Sequence, residues 1–304
     1  MRSLIVTALL VYATSVAAAI INGFSIEDPL VPLDEIMSGG PPKDGIPAIM
    51  DPRVVDSGHA DFLEDDDRVL GLSLNGLARA YPIMILNYHE IVNDHLGESV
   101  IVTFCPLCGT GIAFSGSVDG EDLTFGVSGL LYNSDVLMYD HRTESLWSQI
   151  AAQAISGEKK GATLERLPIT HTTWGDWRQR YPNTTVLSMD TGYSRNYYRD
   201  PYRGYAASEG IAFPVSHRDD RLPPKDLVIG LEIDGMFKAY PLSRLPEGVS
   251  RLQDSFAGQA VTVEYDLENV TGRVIGANGE EIPTFLAFWF AWIAFHPDSA
   301  VFAD

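Results

Sequence analysis

VLGLSLNGLARAYP, residues 69–82, returns as VIGLEIDGMFKAYP at residues 228–241. Seven of the fourteen positions are identical at a constant offset of 159, and most of the others exchange like for like. Each copy alternates apolar and polar residues, passes through a polar pair, and alternates again. The pairs Asn75-Gly76 and Asp234-Gly235 supply the positive φ angles of a two-residue type I′ turn, so each copy predicts a β-hairpin. Tyr-Pro ends each hairpin and suits the first turn of a short helix. The likeness continues in VNDHLGESVIVTFC, 92–105, against LQDSFAGQAVTVEYD, 252–266, where Asp94 matches Asp254. The expected fold class is therefore α+β and β-rich. A hairpin–short helix–strand unit is used twice, at 69–115 and 228–274, with additional antiparallel strands.

The rest of the chain is read outward from these units. Leu123–Val127, Val136–Tyr139 and Leu146–Gln149 have strand character. A helix is predicted from Trp174 to Tyr181, capped by Thr172 or Thr173 and stopped by Pro182. Residues 194–210, SRNYYRDPYRGYAASEG, form a Gly- and Pro-punctuated loop that packs over a sheet. The Pro-rich stretch 26–51 is an extended arm. Phe285 to Phe295 is about half the length of a membrane crossing and reads as core.

The first nineteen residues have a basic start, an apolar run and a small-residue ending, the pattern of a secretory signal peptide. Residues 20–304 are then one large domain in an extracytoplasmic compartment, periplasmic or secreted, where disulfides persist. With 41 acidic and 21 basic residues, the net charge of −20 argues against nucleic acid or an anionic membrane as partner. No P-loop, dinucleotide fingerprint, nucleophile elbow or H-E-x-x-H occurs, so no nucleotide cofactor is expected.

Both cysteines fall in TFCPLCGTGIAF, 103–114, at the end of the first unit; the second unit has Asp266-Leu-Glu-Asn269 there. Three readings of Cys105-Pro-Leu-Cys108 stand open. A strand that ends in C-P-x-C-G and returns as a strand is a metal knuckle, with both sulfurs facing one point for a soft ion such as Cu or Zn. A thioredoxin-type redox pair would need a helix after Cys108, where Gly109-Thr-Gly111 disfavours one. A structural role is the third, although so short a loop gains little from closure. A knuckle gives two ligands, and among seven histidines His89 and His296 are the best placed to complete the set. Asn133, Asp135 and Tyr139 alternate onto one side of an extended chain and form a possible polar wall beside the site.

The combination AYP…HEIVND…CPLCGTG, then FGVSGLLYNSD and SLWSQ, then TTW-x-x-W…YP, DPY-x-x-Y and a terminal FWFAW-x-AFHP resembles the domain of unknown function 3179 family. The resemblance implies an extracytoplasmic prokaryotic protein. The family pattern includes the positions of His89, Cys105, Cys108 and His296, which fits a shared site, and more often has arginine at position 141. The functions in view are soft-metal binding, thiol–disulfide exchange, and a non-catalytic ligand-binding or envelope scaffold.

Overall fold

The structure is a computed structural model and describes residues 19–303. The leader expected at 1–19 thus lies, but for Ala19, outside the described residues. The chain is β-rich, with three short α-helices and several mainly antiparallel sheets among the described residues. No described helix is long and apolar enough to cross a membrane.

Both sequence-marked hairpins form. Arg68–Leu74 pairs with Leu77–Pro82 and Leu227–Ile233 with Met236–Pro241. The registers are alike, Val69 opposite Pro82 and Val228 opposite Pro241. Asn75, Gly76, Asp234 and Gly235 all have positive φ, between 52° and 75°, as a type I′ turn demands. The first hairpin leads into helix α1, Ile83–His89, and the second into one 3-10 turn, Leu242–Arg244. In each hairpin a tyrosine hydroxyl donates to an aspartate in the next strand along the chain. Tyr81 reaches Asp94 at 2.7 Å and Tyr240 reaches Asp254 at 2.9 Å.

The hairpins sit in sheets of like order. Thr170–Thr173, the first hairpin, Thr185–Leu187 and Val54–Asp56 make one sheet; Thr284–Phe288, the second hairpin and Ala300–Val301 make another. Each sheet is covered by a tryptophan helix, α2 (Trp174–Arg180) or α3 (Trp289–Phe295). The fit requires glycine beneath the ring. A Cβ on Gly71 would lie 2.2 Å from the Trp177 ring, and one on Gly230 would lie 2.1 Å from Trp292. The indole N–H groups then find hydroxyls, Trp177 on Thr184 and Trp292 on Ser299, at 2.9 and 2.8 Å. Helix α2 starts where the sequence placed it: the Thr173 side chain accepts from the Asp176 N–H. The aromatic run that ends the chain is the strand Thr284–Phe288 followed by α3, with all but Phe295 buried.

Two further four-stranded sheets run Ile91–His95, Ser99–Cys105, Thr110–Ser115, Arg166–Leu167 and Arg251–Phe256, Gln259–Asp266, Thr271–Gly276, Glu281–Ile282. The strand Ser99–Cys105 is buried from Val100 onward and feeds two cores. Ile101 and Cys105 join one cluster, while Val100, Val102 and Phe104 join another on the opposite face. This two-sided burial explains why its sequence is a continuous apolar run rather than an alternation.

Between Thr110–Ser115 and Arg166–Leu167 the chain makes a five-stranded sheet that includes the hairpin Phe125–Tyr132 and Asp135–Asp140. Its outer strand is Met37–Ser38, from the Pro-rich arm, and Ile49 of the same arm bridges to Val92. The segment 194–210 is irregular, and its Tyr197 is buried.

Candidate metal centre

The strands Ser99–Cys105 and Thr110–Ser115 pair up to Cys105 opposite Thr110, leaving Pro106 to Gly109 as the loop. The Cys108 N–H donates to the Cys105 carbonyl at 3.2 Å, which closes the turn. Gly109 takes φ 61°, and a Cβ there would touch the Phe288 ring at 3.0 Å. The carbonyl of Cys108 receives the Phe288 N–H at 2.8 Å and the Thr110 hydroxyl at 3.0 Å. The knuckle is thus clamped from the strand that precedes α3, far away in sequence.

Opposite it stands the tip of the hairpin 125–140. Asn133 and Ser134 form its two-residue turn, with φ of 53° and 65° in non-glycine residues. Such strain persists only where surroundings impose it. Here the Asn133 side chain donates to the Ala294 carbonyl at 3.3 Å and accepts from the Ser216 N–H at 2.7 Å. The turn brings the Ser134 carbonyl to the thiols, 3.4 Å from Cys108 Sγ and 3.9 Å from Cys105 Sγ.

The next residue, Asp135, completes the cluster. The sulfurs of Cys105 and Cys108 and a carboxylate oxygen of Asp135 lie within 4.8 Å of one another, all buried. Both cysteines are free thiols. Asp135 Oδ2 accepts the Ile150 N–H at 3.0 Å, whereas Oδ1 has no hydrogen-bond partner among the described residues. The Gln149 amide spans the base of the knuckle, donating to Thr103 Oγ1 at 2.7 Å and the Thr110 carbonyl at 3.4 Å.

The electrostatics are those of buried anions kept neutral by protons. Burial pushes Asp135 up to about 7, against the opposing pull of the Ile150 and Val136 N–H groups and of the two thiols. Burial also raises both thiols, more so Cys108, and the Asp135 charge adds to each. Glu90 is pushed up to about 8 by burial and by Asp135. It caps α1 with φ 57°, another strained non-glycine position beside the cluster.

The two histidines expected as ligands are engaged elsewhere. His89 Nδ1 meets the Pro47 carbonyl at 2.8 Å, and Nε2 meets the Tyr197 hydroxyl at 2.7 Å. His296 stacks on Phe237, with centroids 3.9 Å apart, and burial lowers it to about 3, so it is a neutral packed ring. Among the described residues the metal-capable group contains a carboxylate where an imidazole was expected. Of the anticipated wall, Asp135 is in the cluster itself and Asn133 fixes its turn. Tyr139 points away, its hydroxyl on Asp44 at 2.7 Å and its ring against Phe24. The turn at 133–134 ends the extended chain on which the alternation argument rested.

Sequence reasoning passed over Glu90 and His171. Glu90 stands in HEIVND directly before the apolar pair Ile91-Val92, which was the available signal. His171 has Nε2 within 3.0 Å of the Gly111 carbonyl and 3.1 Å of its nitrogen, so it props the strand leaving the knuckle.

These positions coincide with a known sequence pattern. The model of the family described as protein of unknown function DUF3179 matches residues 43–277. The chain belongs to this family. The DUF3179 match spans the knuckle, Glu90 and Asp135 together. No curated protein and no solved structure matches the chain.

Proposed function

We propose that this exported DUF3179 protein binds one soft or borderline transition-metal ion through Cys105, Cys108 and Asp135, and that the ion is Zn(II). The observation that carries the reading is the buried donor set itself: two sulfurs and one carboxylate oxygen within 4.8 Å, the second carboxylate oxygen without a partner. Two Zn–S bonds of about 2.3 Å place their sulfurs roughly 3.8 Å apart, a spacing within the reach of this cluster. Burying several acids together is costly unless protons or a cation neutralise them. A divalent ion replaces those protons, and its binding releases them. Three protein ligands leave a fourth position open, as in zinc sites that hold a water or a ligand rather than purely structural ones.

The donor chemistry favours zinc over Cu(I). Cu(I) is satisfied by the sulfur pair and gains little from a carboxylate, whereas zinc accepts S and O donors alike. Thiol–disulfide exchange is disfavoured by the raised thiols, because exchange needs a thiolate and an accessible sulfur. We also infer that the chain is a duplicated hairpin–short helix–strand unit. The matching hairpin registers and the paired Gly–Trp contacts support that reading, with the Asp135 hairpin inserted into the first copy alone.

Competition titration of the untagged protein tests the assignment. Asp135→Asn is expected to weaken Zn(II) at least about tenfold and to leave Cu(I) within a few-fold. Equal zinc affinity in the two proteins would remove Asp135 from the ligand set.

A further inference from the structure

A cavity of about 160 Å³ adjoins the knuckle. It is lined by Ile46 of the arm, Leu107 of the knuckle loop, Val127 and Val136 of the hairpin, Tyr202 of the irregular segment 194–210 and Phe213 just beyond it. Glu90 also lines it, with only 7% of its surface exposed. Its backbone is engaged, N–H on the Leu86 carbonyl and carbonyl on the Phe104 N–H. No described residue hydrogen-bonds its carboxyl group. A nearly buried carboxyl group without a protein partner is poorly compensated, and a ligand bearing a complementary atom supplies the missing hydrogen bond.

From this geometry we infer a second site, a pocket in which the Glu90 carboxyl group, donating its acid O–H, anchors a small, neutral, mostly apolar molecule through that molecule's single carbonyl or hydroxyl oxygen. Size sets the first limit. A cavity near 150 Å³ holds a benzene-sized guest, so the ligand has roughly six to eight heavy atoms. Lining chemistry sets the second. The walls are aliphatic and aromatic, which rewards loss of apolar surface and rejects a charged group that would have to be desolvated. The neighbours set the third. Asp135 and Cys105 face Glu90 electrostatically, so an anionic ligand would add charge to an already acidic cluster. Leu107 lies between Cys105 and Cys108, which puts the guest beside the proposed ion, but the pocket does not need the ion to form.

The test uses cyclohexanone as probe, with cyclohexylamine and cyclohexanecarboxylate as charged counterparts, followed by NMR titration at neutral pH. Protein with zinc and protein treated with chelator are both titrated. Cyclohexanone is expected to bind at least about tenfold more tightly than either charged probe, in both preparations. Leu107→Trp fills the pocket and is expected to abolish binding. Glu90→Leu keeps the volume and is expected to weaken the ketone about tenfold while leaving benzene binding unchanged. Absence of ketone binding by the folded wild-type chain, or ketone binding that survives in Leu107→Trp, would overturn the inference. Retention of binding in the chelated protein separates this pocket from the metal proposal, since each can then fail alone.

Discussion

Two turns at matching places in the two halves show what sets the first apart. Cys105 pairs with Thr110 across one turn, and Asp266 pairs with Thr271 across the other, each with four residues between. In the second turn, Asp266 satisfies its own loop. Its carboxylate accepts from the Glu268 N–H at 2.9 Å, the Asn269 N–H at 3.2 Å and the Asn269 amide at 2.8 Å. Burial would raise this acid, but those hydrogen bonds outweigh it and Asp266 is lowered. In the first turn the polar groups are sulfurs, the facing acid Asp135 is raised, and one of its oxygens is unpartnered. The same backbone device closes one loop with its own hydrogen bonds and leaves the other with donors to offer. A scaffold tolerates that deficit only where something else supplies the missing interaction, the role we propose for the cation.

The sharpest way to break this comparison is to exchange the turns. Replacing residues 105–108 by the Asp-Leu-Glu-Asn of 266–269, with Gly109 kept, is expected to reduce bound zinc from near one equivalent to background, read by elemental analysis. Far-UV circular dichroism is expected to stay the same, because the loop length is preserved. The second test asks where the halves should agree. Gly71→Ala and Gly230→Ala each drive a methyl into a tryptophan ring, and each is expected to cost about 1–3 kcal/mol in urea unfolding. A large effect in one half alone would mean that the two glycine–tryptophan contacts are not equivalent.

A further difference lies in pH. Asp135 and Glu90 have folded pKa values of about 7 and about 8, above those of the unfolded chain. Between the two sets of values the folded state binds more protons, so the stability contributed by these two groups is full below about pH 4 and declines as pH rises toward 8. The slope is at most about 1.4 kcal/mol per pH unit for each group. Zinc reverses the sign, because ligand protons leave on binding and affinity grows with pH. Unfolding midpoints measured with chelator and with zinc between pH 5 and 8 are expected to diverge, and Asp135→Asn to flatten part of the metal-free decline.

What was legible in the sequence is what local chemistry encodes. Asn75-Gly76 and Asp234-Gly235 announced hairpins because few other pairs tolerate two positive φ angles. Thr173 and Pro182 bounded α2 for equally local reasons. Cys105 and Cys108 marked the site because a C-P-x-C-G strand turn has few uses. The third proposed ligand was less visible. Asp135 is 27 residues beyond Cys108, and its place depends on the Asn133–Ser134 turn, whose residues do not advertise two positive φ angles. His89 and His296 were expected beside the cysteines, but their partners Tyr197 and Phe237 come from distant segments that no spacing reveals. Glu90 was overshadowed by its neighbour His89, although an acid buried at the junction of a helix and a strand is the rarer feature.

X-ray absorption at the zinc edge, on protein purified without a histidine tag and loaded with one equivalent, addresses the central claim most directly. The account predicts two sulfur neighbours at about 2.3 Å and light-atom neighbours at about 2.0–2.2 Å, with the sulfur shell absent from the turn-exchange variant. A shell of nitrogen and oxygen alone in the wild-type protein, or no zinc retained, would contradict it.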